Sequence, residues 1–211
     1  MHHIFCIIGK SSTGKDTIFK RLLEREDLGL LNIISYTTRP IRENETEGIE
    51  YFFTDEAAEA EFEKQGKLIE KRSYDTFHGK WDYFTVDDGQ VDLTAHNYLI
   101  IGTLVSYQKI AAYYGKDVCF PIYIEVEDGI RLDRALLREH QQTEPKYEEM
   151  CRRFLADNRD FSEEKLAEAG VTRRFYNHRV DVTVEEIAEY MKEKCSLTPR
   201  ENTVKSTQKW V

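Results

Sequence analysis

One short segment of the sequence combines the residue types that bind phosphate. Residues 9–17 read GKSSTGKDT and follow the apolar run Ile4 to Ile8. Glycines let backbone N–H groups turn toward an anion, and a helix beginning here would add roughly half a positive charge. A lysine at position 15 can then reach the β- and γ-phosphates of a nucleoside triphosphate. The pattern predicts a P-loop that binds ATP through Gly9, Ser11, Ser12, Thr13, Gly14, Lys15, Asp16 and Thr17. A glycine-containing turn without a ligand is the alternative.

The residue after the lysine departs from the usual P-loop. Ser or Thr normally stands there and holds Mg²⁺ through its hydroxyl, whereas this chain has Asp16. A carboxylate is a good hard ligand for Mg²⁺, so Asp16 is the candidate metal ligand. Two other readings stay open: Asp16 caps the helix, where the dipole favours a negative charge, or the chain has lost activity.

A second segment could grip another phosphate. Residues 35–42 read SYTTRPIR, and residues 47–53 read EGIEYFF. Arg39 and Arg42 are three residues apart, with Pro40 stiffening the turn, so their forked side chains can converge on one phosphate. Tyr51 can add a neutral hydroxyl donor. By spacing alone, two solvated arginines in a loop explain the pattern equally well.

These residues resemble the monophosphate-binding domain of the guanylate kinase family, whose pattern is S-x-T-T-R-P-x-R…G-x-x-Y-x-F. The resemblance spans roughly residues 4–194 and is strongest over 35–53. It implies an ATP- and Mg²⁺-dependent nucleoside monophosphate kinase that converts GMP and ATP to GDP and ADP. It also implies contacts with the acceptor's phosphate, for which the matching residues are Arg39, Arg42, Tyr51 and Tyr83. The residues that match the remaining acceptor positions, including those that read guanine, are Ser35, Glu70, Thr85 and Thr103.

The chain differs from the family pattern at two of these positions. The family's Y-G-T reads Tyr83-Phe84-Thr85 here, and we expect Phe84 to crowd the acceptor pocket. Thr103 stands where the family usually has an aspartate.

A sister family, the ribose bisphosphokinases, also reads G-K-D in the P-loop and lacks that aspartate, but lacks the complete second segment. A kinase for another phosphorylated acceptor, such as a ribose bisphosphate, is therefore one alternative. A catalytically inactive guanylate-kinase-like binding module is another, and the intact Lys15 argues against it.

Arginines flank a polar stretch, EHQQTEPKYE, at residues 139–148. Arg138 precedes this candidate lid and Arg153 follows it. The resemblance implies that these arginines fold over the γ-phosphate, so we predict Lys15, Arg138 and Arg153 as the catalytic residues. Surface charges paired with Glu148 or Glu149 are the simpler alternative for the two arginines.

The surrounding elements alternate between strand and helix. Apolar runs predict strands at 4–8, 31–36, 98–102 and 118–126, and helical periodicity predicts helices at 15–27, 104–114, 127–139, from 147, and at 183–194. Continuous apolar strands indicate an α/β fold, a P-loop NTPase core whose parallel sheet is covered by helices on both faces. Ligands then bind at the carboxyl ends of the strands.

The domain organisation follows from changes in composition. We expect a core of residues 1–36 and 93–195, with the lid at about 139–148. Residues 37–92 are rich in aromatic side chains and turn signals, which predicts a small, mostly β insertion that binds the monophosphate. Residues 196–211 are polar and without periodicity, so we expect a poorly ordered tail.

Composition limits the classes of partner. Thirty Lys and Arg against 39 Asp and Glu leave a net charge of −9, which argues against nucleic-acid and membrane binding and leaves small-molecule nucleotides. The four cysteines share no metal-binding spacing and are expected to be free thiols in a reducing compartment. With no long apolar run or signal-peptide pattern, we expect a cytoplasmic monomer or homodimer.

Overall fold

The computed structural model describes residues 2–76 and 79–197. Nine strands and seven α-helices alternate along this part of the chain. The strands are β1 (Ile4–Ile8), β2 (Leu30–Asn32), β3 (Tyr36–Thr37), β4 (Phe52–Phe53), β5 (Leu68–Thr76), β6 (Gly79–Val86), β7 (Asn97–Gly102), β8 (Cys119–Glu125) and β9 (Arg174–Tyr176). The helices are α1 (Lys15–Leu23), α2 (Glu56–Lys64), α3 (Leu104–Tyr114), α4 (Asp128–His140), α5 (Tyr147–Asp160), α6 (Glu163–Glu168) and α7 (Val180–Leu197), and a 3₁₀ turn covers Glu26–Leu28.

The larger sheet is parallel and has the strand order β2-β7-β1-β8-β9. Side chains of β1 alternate between two hydrophobic clusters: Ile4 and Ile8 pack with residues of α3 and α6, whereas Phe5 and Ile7 pack with residues of α1 and α7. Both faces are buried because helices cover each of them. The predicted α/β fold with a helix-covered parallel sheet is confirmed.

A smaller sheet of four strands lies within residues 36–86, in the order β4-β3-β6-β5. The predicted strand over 31–36 is wrong as a single element, because β2 ends at Asn32 and Tyr36 already belongs to the second sheet. The chain leaves the core sheet between these two positions. The exact limits of the 37–92 insertion and of the 139–148 lid stay predictions, although the segment between α4 and α5 is confined to residues 141–146.

Phe84 lies in the core of the small sheet. Its side chain is fully buried, stacks on Tyr36 with ring centroids 5.5 Å apart, and lies 6.4 Å from the Phe62 ring of α2. Side chains alternate along β6, so Tyr83 and Thr85 point to the opposite face. The expectation that Phe84 crowds the acceptor pocket is therefore wrong, because alternation turns it away from the residues expected to bind the acceptor.

The C-terminal third contains elements that periodicity did not reveal. Helix α6 has six residues and β9 has three, both too short for a clear hydrophobic repeat. Helix α7 extends the predicted 183–194 helix at both ends and includes residues 196 and 197 of the expected tail; positions 198–211 lie outside the described residues. No helix in the described part of the chain is long and apolar enough to cross a membrane.

Burial of Phe84 gives a stability prediction. Phe84→Ala should lower the free energy of unfolding by about 4 kcal/mol, because it removes a buried aromatic ring and leaves a cavity between Tyr36 and Phe62. Urea denaturation followed by circular dichroism measures the change. Tyr176→Ala, at a ring that is 55% exposed, is the matched control and should cost far less. Equal losses in the two variants would contradict the assigned core position.

Candidate active site

The P-loop joins β1 to α1, and contacts from distant parts of the chain shape it. Gly14 precedes α1 with a left-handed φ of 83°, and a Cβ there would lie 2.6 Å from Nδ2 of Asn177. That same amide donates a 2.8 Å hydrogen bond to the carbonyl of Thr13. A Cβ at Gly9 would meet the Ile124 carbonyl at 2.7 Å. Both glycines therefore permit a close approach that larger residues would prevent.

Ser12 and Thr13 occupy the middle of this loop. Ser12 has a φ of 64°, a conformation that is unusual for a residue other than glycine. Its hydroxyl is buried and has no hydrogen-bond partner among the described residues. The Thr13 hydroxyl instead donates to the Lys10 carbonyl at 2.9 Å and is buried. The two side chains thus have different roles: Thr13 stabilises the loop from within, whereas the Ser12 hydroxyl still has hydrogen-bonding capacity.

Lys15 begins α1 and stands among charges of both signs. Burial lowers the pKa of Lys15; Asp16 and Asp157 act in the opposite direction, and Arg153 and Arg138 lower the pKa further. The charges of Arg138 and Arg153 thus act on Lys15, although the three predicted catalytic residues come from α4, α5 and α1. Such a concentration of cations suits a triphosphate, and the catalytic roles stay predictions.

Asp16 and Thr17 occupy the first turn of α1, and both side chains are exposed. No side-chain cap closes the start of α1, where Gly14 is the capping residue. The capping interpretation of Asp16 thus has no supporting hydrogen bond in the described structure. An exposed carboxylate beside Lys15 is available to a ligand, and its role as a metal ligand stays a prediction.

Two side chains of helix α5 contact Ser11 of the P-loop; they are four residues apart and so lie on one helix face. Nη2 of Arg153 lies 3.3 Å from Oγ of Ser11, and Oδ2 of Asp157 accepts a 2.6 Å hydrogen bond from the Ser11 N–H. The same serine therefore connects α5 to the loop twice. The position of Arg153 relative to Lys15 depends on this contact.

A buried arginine behind this contact was missed by the sequence analysis. Arg131 of α4 is 1% exposed, and its guanidinium lies 4.8 Å from the centre of the Phe154 ring. Its Nε donates to Asp128 at 3.2 Å, and Nη1 lies 3.7 Å from Oδ2 of Asp157. Within the described part of the chain, Nη2 has no hydrogen-bond partner. The signal that could have revealed Arg131 is its place one helical turn before Arg134, which also contacts the loop.

The predicted phosphate grip contains an internal anion. The Arg39 side chain is 2% exposed, and its Nη1 and Nη2 donate to the two oxygens of Glu45 at 2.6 and 2.5 Å. The guanidinium also lies 5.1 Å from the centre of the Tyr51 ring. Arg42 is exposed, and its backbone N–H donates to the same carboxylate at 3.0 Å. Glu45 thus occupies the donors that an acceptor phosphate would use.

Tyr51 links the acceptor residues to the P-loop. Its ring lies 5.6 Å from that of Tyr83. Burial is the main cause that raises the pKa of Tyr51; Tyr83 and Asp16 act in the same direction, whereas Arg72 and Arg39 oppose it. Because such influences fall off with distance, Tyr51 lies near the first turn of α1; that the other predicted acceptor residues face the P-loop stays a prediction.

Three residues predicted to contact the acceptor form one buried chain of hydrogen bonds. Oγ of Ser35 lies 3.3 Å from Oγ1 of Thr85, which donates to Oε1 of Glu70 at 3.0 Å. Nε of Arg72 lies 3.1 Å from Oε2 of Glu70, and Nη2 lies 3.2 Å from Oε1. The structure thus brings the three predicted residues together and adds Arg72, which sequence analysis missed. Its spacing of two from Glu70 on one strand is the signal that could have identified it.

Thr103 serves a local structural purpose. It is the N-cap of α3, accepting a 3.2 Å hydrogen bond from the Ser106 N–H, while Oγ of Ser106 accepts from the Thr103 N–H at 2.7 Å. It follows β7, which pairs in parallel with β1, so it lies at the same sheet edge as the P-loop. Contact with the acceptor stays a prediction for this residue.

Comparison with known proteins extends these observations. The family model described as guanylate kinase matches residues 1–81. A guanylate kinase of Bacillus cereus is 31% identical over 132 residues, which are 63% of this chain and 53% of that protein. A guanylate kinase of Mycoplasma mobile is 43% identical over 82 residues, 37% of this chain and 41% of that protein. The matched regions thus span about half the length of these relatives.

The fold extends beyond the region of clear sequence similarity. The crystal structure of guanylate kinase from Anaplasma phagocytophilum matches with a TM-score of 0.61, covering 92% of this chain and 86% of that one. Sequence identity over that match is 19%, so it establishes the common fold. A match over 92% of the chain reaches well beyond residue 81, where the family-model match ends.

The Arg131–Asp157 contact gives a second stability prediction. Asp157→Ala should lower the free energy of unfolding by about 3 kcal/mol, because it removes a partner of a buried guanidinium. Adding Arg131→Met should restore part of that loss, since the buried charge is then absent. Thermal and urea denaturation of both variants measure the coupling. Asp160→Ala, at an exposed position of the same helix, is the control; simple additivity in the double variant would rule out coupling.

Proposed function

We propose that this chain transfers the γ-phosphoryl group of ATP to GMP. Its family-model match, its relatives and its fold together support membership of the guanylate kinase family. The observation that carries the proposal is the position of Tyr51. Its ring stands beside Arg39 and Tyr83, and Asp16, at the start of α1, is one of the causes that raise its pKa. A donor phosphate at Lys15 and an acceptor phosphate at Arg39 would thus face each other.

The residues supply what phosphoryl transfer needs. The reaction requires positioning and charge neutralisation more than covalent chemistry, so no covalent intermediate is expected. Backbone N–H groups of the P-loop and the Lys15 ammonium would hold the donor phosphates. Arg138 and Arg153 would neutralise the charge on the transferring group, while the acceptor phosphate attacks in line. Arg153 is held beside the loop by its contact with Ser11.

Binding of the acceptor requires an exchange of anions. Glu45 engages both Nη atoms of Arg39, and a phosphate monoester is also an anion, with more oxygens and a larger negative charge. We expect the acceptor phosphate to displace Glu45 and to recruit Arg42, with the Tyr51 and Tyr83 hydroxyls as further donors. The exchange keeps the buried guanidinium paired both before and after binding, which avoids an uncompensated buried charge.

The site suits a Mg²⁺ ion bound together with ATP. Within residues 2–76 and 79–197, no three His, Cys, Asp or Glu side chains form a cluster that could hold a metal alone. Mg²⁺ usually keeps several waters and binds through one or two carboxylates together with substrate phosphates. The exposed Asp16 fits that requirement. When bound, the ion neutralises charge on the β- and γ-phosphates.

A coupled assay of ADP formation over a panel of acceptors tests the proposed function. The panel contains GMP, AMP, CMP, UMP and ribose bisphosphate, each with ATP and Mg²⁺. We expect GMP to outrank the other nucleotides, because a buried Glu70 carboxylate would face a ring acceptor of AMP. Good turnover of ribose bisphosphate without turnover of GMP would establish the alternative acceptor, and no turnover at all would favour an inactive binding module.

The phosphate grip gives a kinetic prediction. Arg39→Ala or Arg42→Ala should raise the acceptor's KM by about 10- to 100-fold, because each removes a charge-assisted hydrogen bond of about 1.5–3 kcal/mol. The KM for ATP should stay nearly constant. Steady-state kinetics with each substrate varied separately measure both constants. Arg25→Ala is a matched control, because Arg25 follows the C-terminal end of α1 whereas the P-loop precedes its N-terminal end. Equal losses for ATP and acceptor would show that no separate acceptor site exists.

Asp16 gives a prediction about metal dependence. Asp16→Ser should raise the Mg²⁺ concentration needed for half-maximal rate and for tight binding of a fluorescent ATP analogue, since a negatively charged metal ligand is lost. Adding Thr103→Asp should lower the required Mg²⁺ concentration at least partly toward the wild-type value, because it returns an acid to the sheet edge shared with the P-loop. Asp also caps helices, so the start of α3 should tolerate the change. Unchanged Mg²⁺ dependence in Asp16→Ser, in both rate and binding, would reject the metal-ligand role.

A further inference from the structure

Arg72 holds the carboxylate that is expected to read the acceptor's base. Its side chain is 16% exposed, whereas that of Glu70 is fully buried. The two residues lie on one face of β5, and the guanidinium contacts both carboxylate oxygens through Nε and Nη2. Arg72 is thus a fork-shaped partner that lies on the solvent side of a buried anion.

The hydrogen-bonding capacity of Glu70 is almost filled by this arrangement. An ionised carboxylate offers about four acceptor sites, two on each oxygen. Oε1 accepts from Arg72 and from Thr85, and Oε2 accepts from Arg72. Among the described residues these contacts leave one acceptor site, on Oε2.

Guanine requires more than that single site. Its ring N–H and its exocyclic amine are neighbouring donors, and they pair best with the two oxygens of one carboxylate. Hypoxanthine, the base of IMP, keeps the ring N–H and lacks the amine, so one free acceptor site is sufficient for it. A full contact with guanine therefore requires a donor to leave Oε1. Arg72 is the candidate to leave, because Thr85 is buried and also contacts Ser35.

We propose that Arg72 is a specificity-determining residue that competes with guanine for Glu70 and so weakens the preference for GMP over IMP. This inference rests on the proposed function, in which Glu70 reads the base of the acceptor. It assigns to Arg72 an effect that differs between the two bases. The acceptor phosphate is common to GMP and IMP, so any effect of Arg72 on Tyr51 and Tyr83 cancels in the ratio of the two acceptors. The donor nucleotide binds elsewhere, at Lys15, and the KM for ATP should not respond to the replacement.

Two replacements of Arg72 test the inference. Arg72→Lys keeps a positive charge beside the buried carboxylate but cannot form the fork, and Arg72→Ala removes the partner altogether. Arg25→Ala is the matched control, because Arg25 forms the same fork with Asp27 two residues away, with both distances 2.9 Å. Calorimetric titration with GMP and with IMP gives dissociation constants, and steady-state kinetics give kcat/KM for both acceptors and KM for ATP.

We expect the preference for GMP over IMP to rise about tenfold in Arg72→Lys, the change expected when one charge-assisted hydrogen bond becomes available to the amine. Arg72→Ala should change this preference in the same direction, with the KM for ATP constant and the Arg25→Ala ratio at the wild-type value.

An unchanged or lower ratio in Arg72→Lys would overturn the inference while leaving GMP kinase activity established. If GMP and IMP bind without turnover, the proposed catalysis fails and the ratio of dissociation constants still decides the role of Arg72. If neither nucleotide binds to the wild type or to the variants, both proposals are wrong.

Discussion

Cations gathered in one region of a protein repel one another, so their charge must be balanced within the chain. The guanidinium groups of Arg39 and Arg131 are buried and that of Arg72 is partly buried, and each is paired with a carboxylate of the same chain: Arg39 with Glu45, Arg72 with Glu70, and Arg131 with Asp128 and Asp157. Leaving such a charge unpaired in a protein interior costs several kcal/mol. The net charge of −9 is consistent with this need, since internal anions accompany the positive charge that the substrates require. Ligand binding then becomes an exchange of partners.

Much of the core could be predicted from sequence because its signals are local. The apolar run of β1, the glycines of the loop and the periodicity of α1 lie within two dozen residues, and the structure has these elements in that order. Arg131 and Arg72 were missed for a different reason. Their environment is created by α5 packing on α4 and by the register of β5 on β6, and neither is visible in the pattern of one segment. The same limit explains the wrong expectation for Phe84, whose direction is fixed by strand alternation within a sheet that had no predicted register.

The similarity in structure to a guanylate kinase covers more of the chain than the match to the family model does. The family model ends at residue 81, after the P-loop and most of the acceptor residues, whereas the structural likeness covers 92% of the chain. Phosphate contacts constrain residue type closely, because only certain side chains and turns can make them. The helices that carry Arg138, Arg153 and Asp157 must keep their positions, and many sequences satisfy that requirement. The contact of Arg131 with Phe154 is one of the means by which α4 and α5 are held together in this chain.

The amide of Asn177 touches the Thr13 carbonyl across 164 positions of sequence. This hydrogen bond implies an order of folding steps, in which the P-loop is completed after β9. An emerging chain has made its nucleotide loop long before it has made β9, so the loop cannot hold its final curvature until the last strand of the core sheet arrives. Closing so long a stretch of polypeptide is slow compared with forming helices or hairpins. Completion of the P-loop would thus be a late event in folding, because it depends on a contact between the two ends of the core.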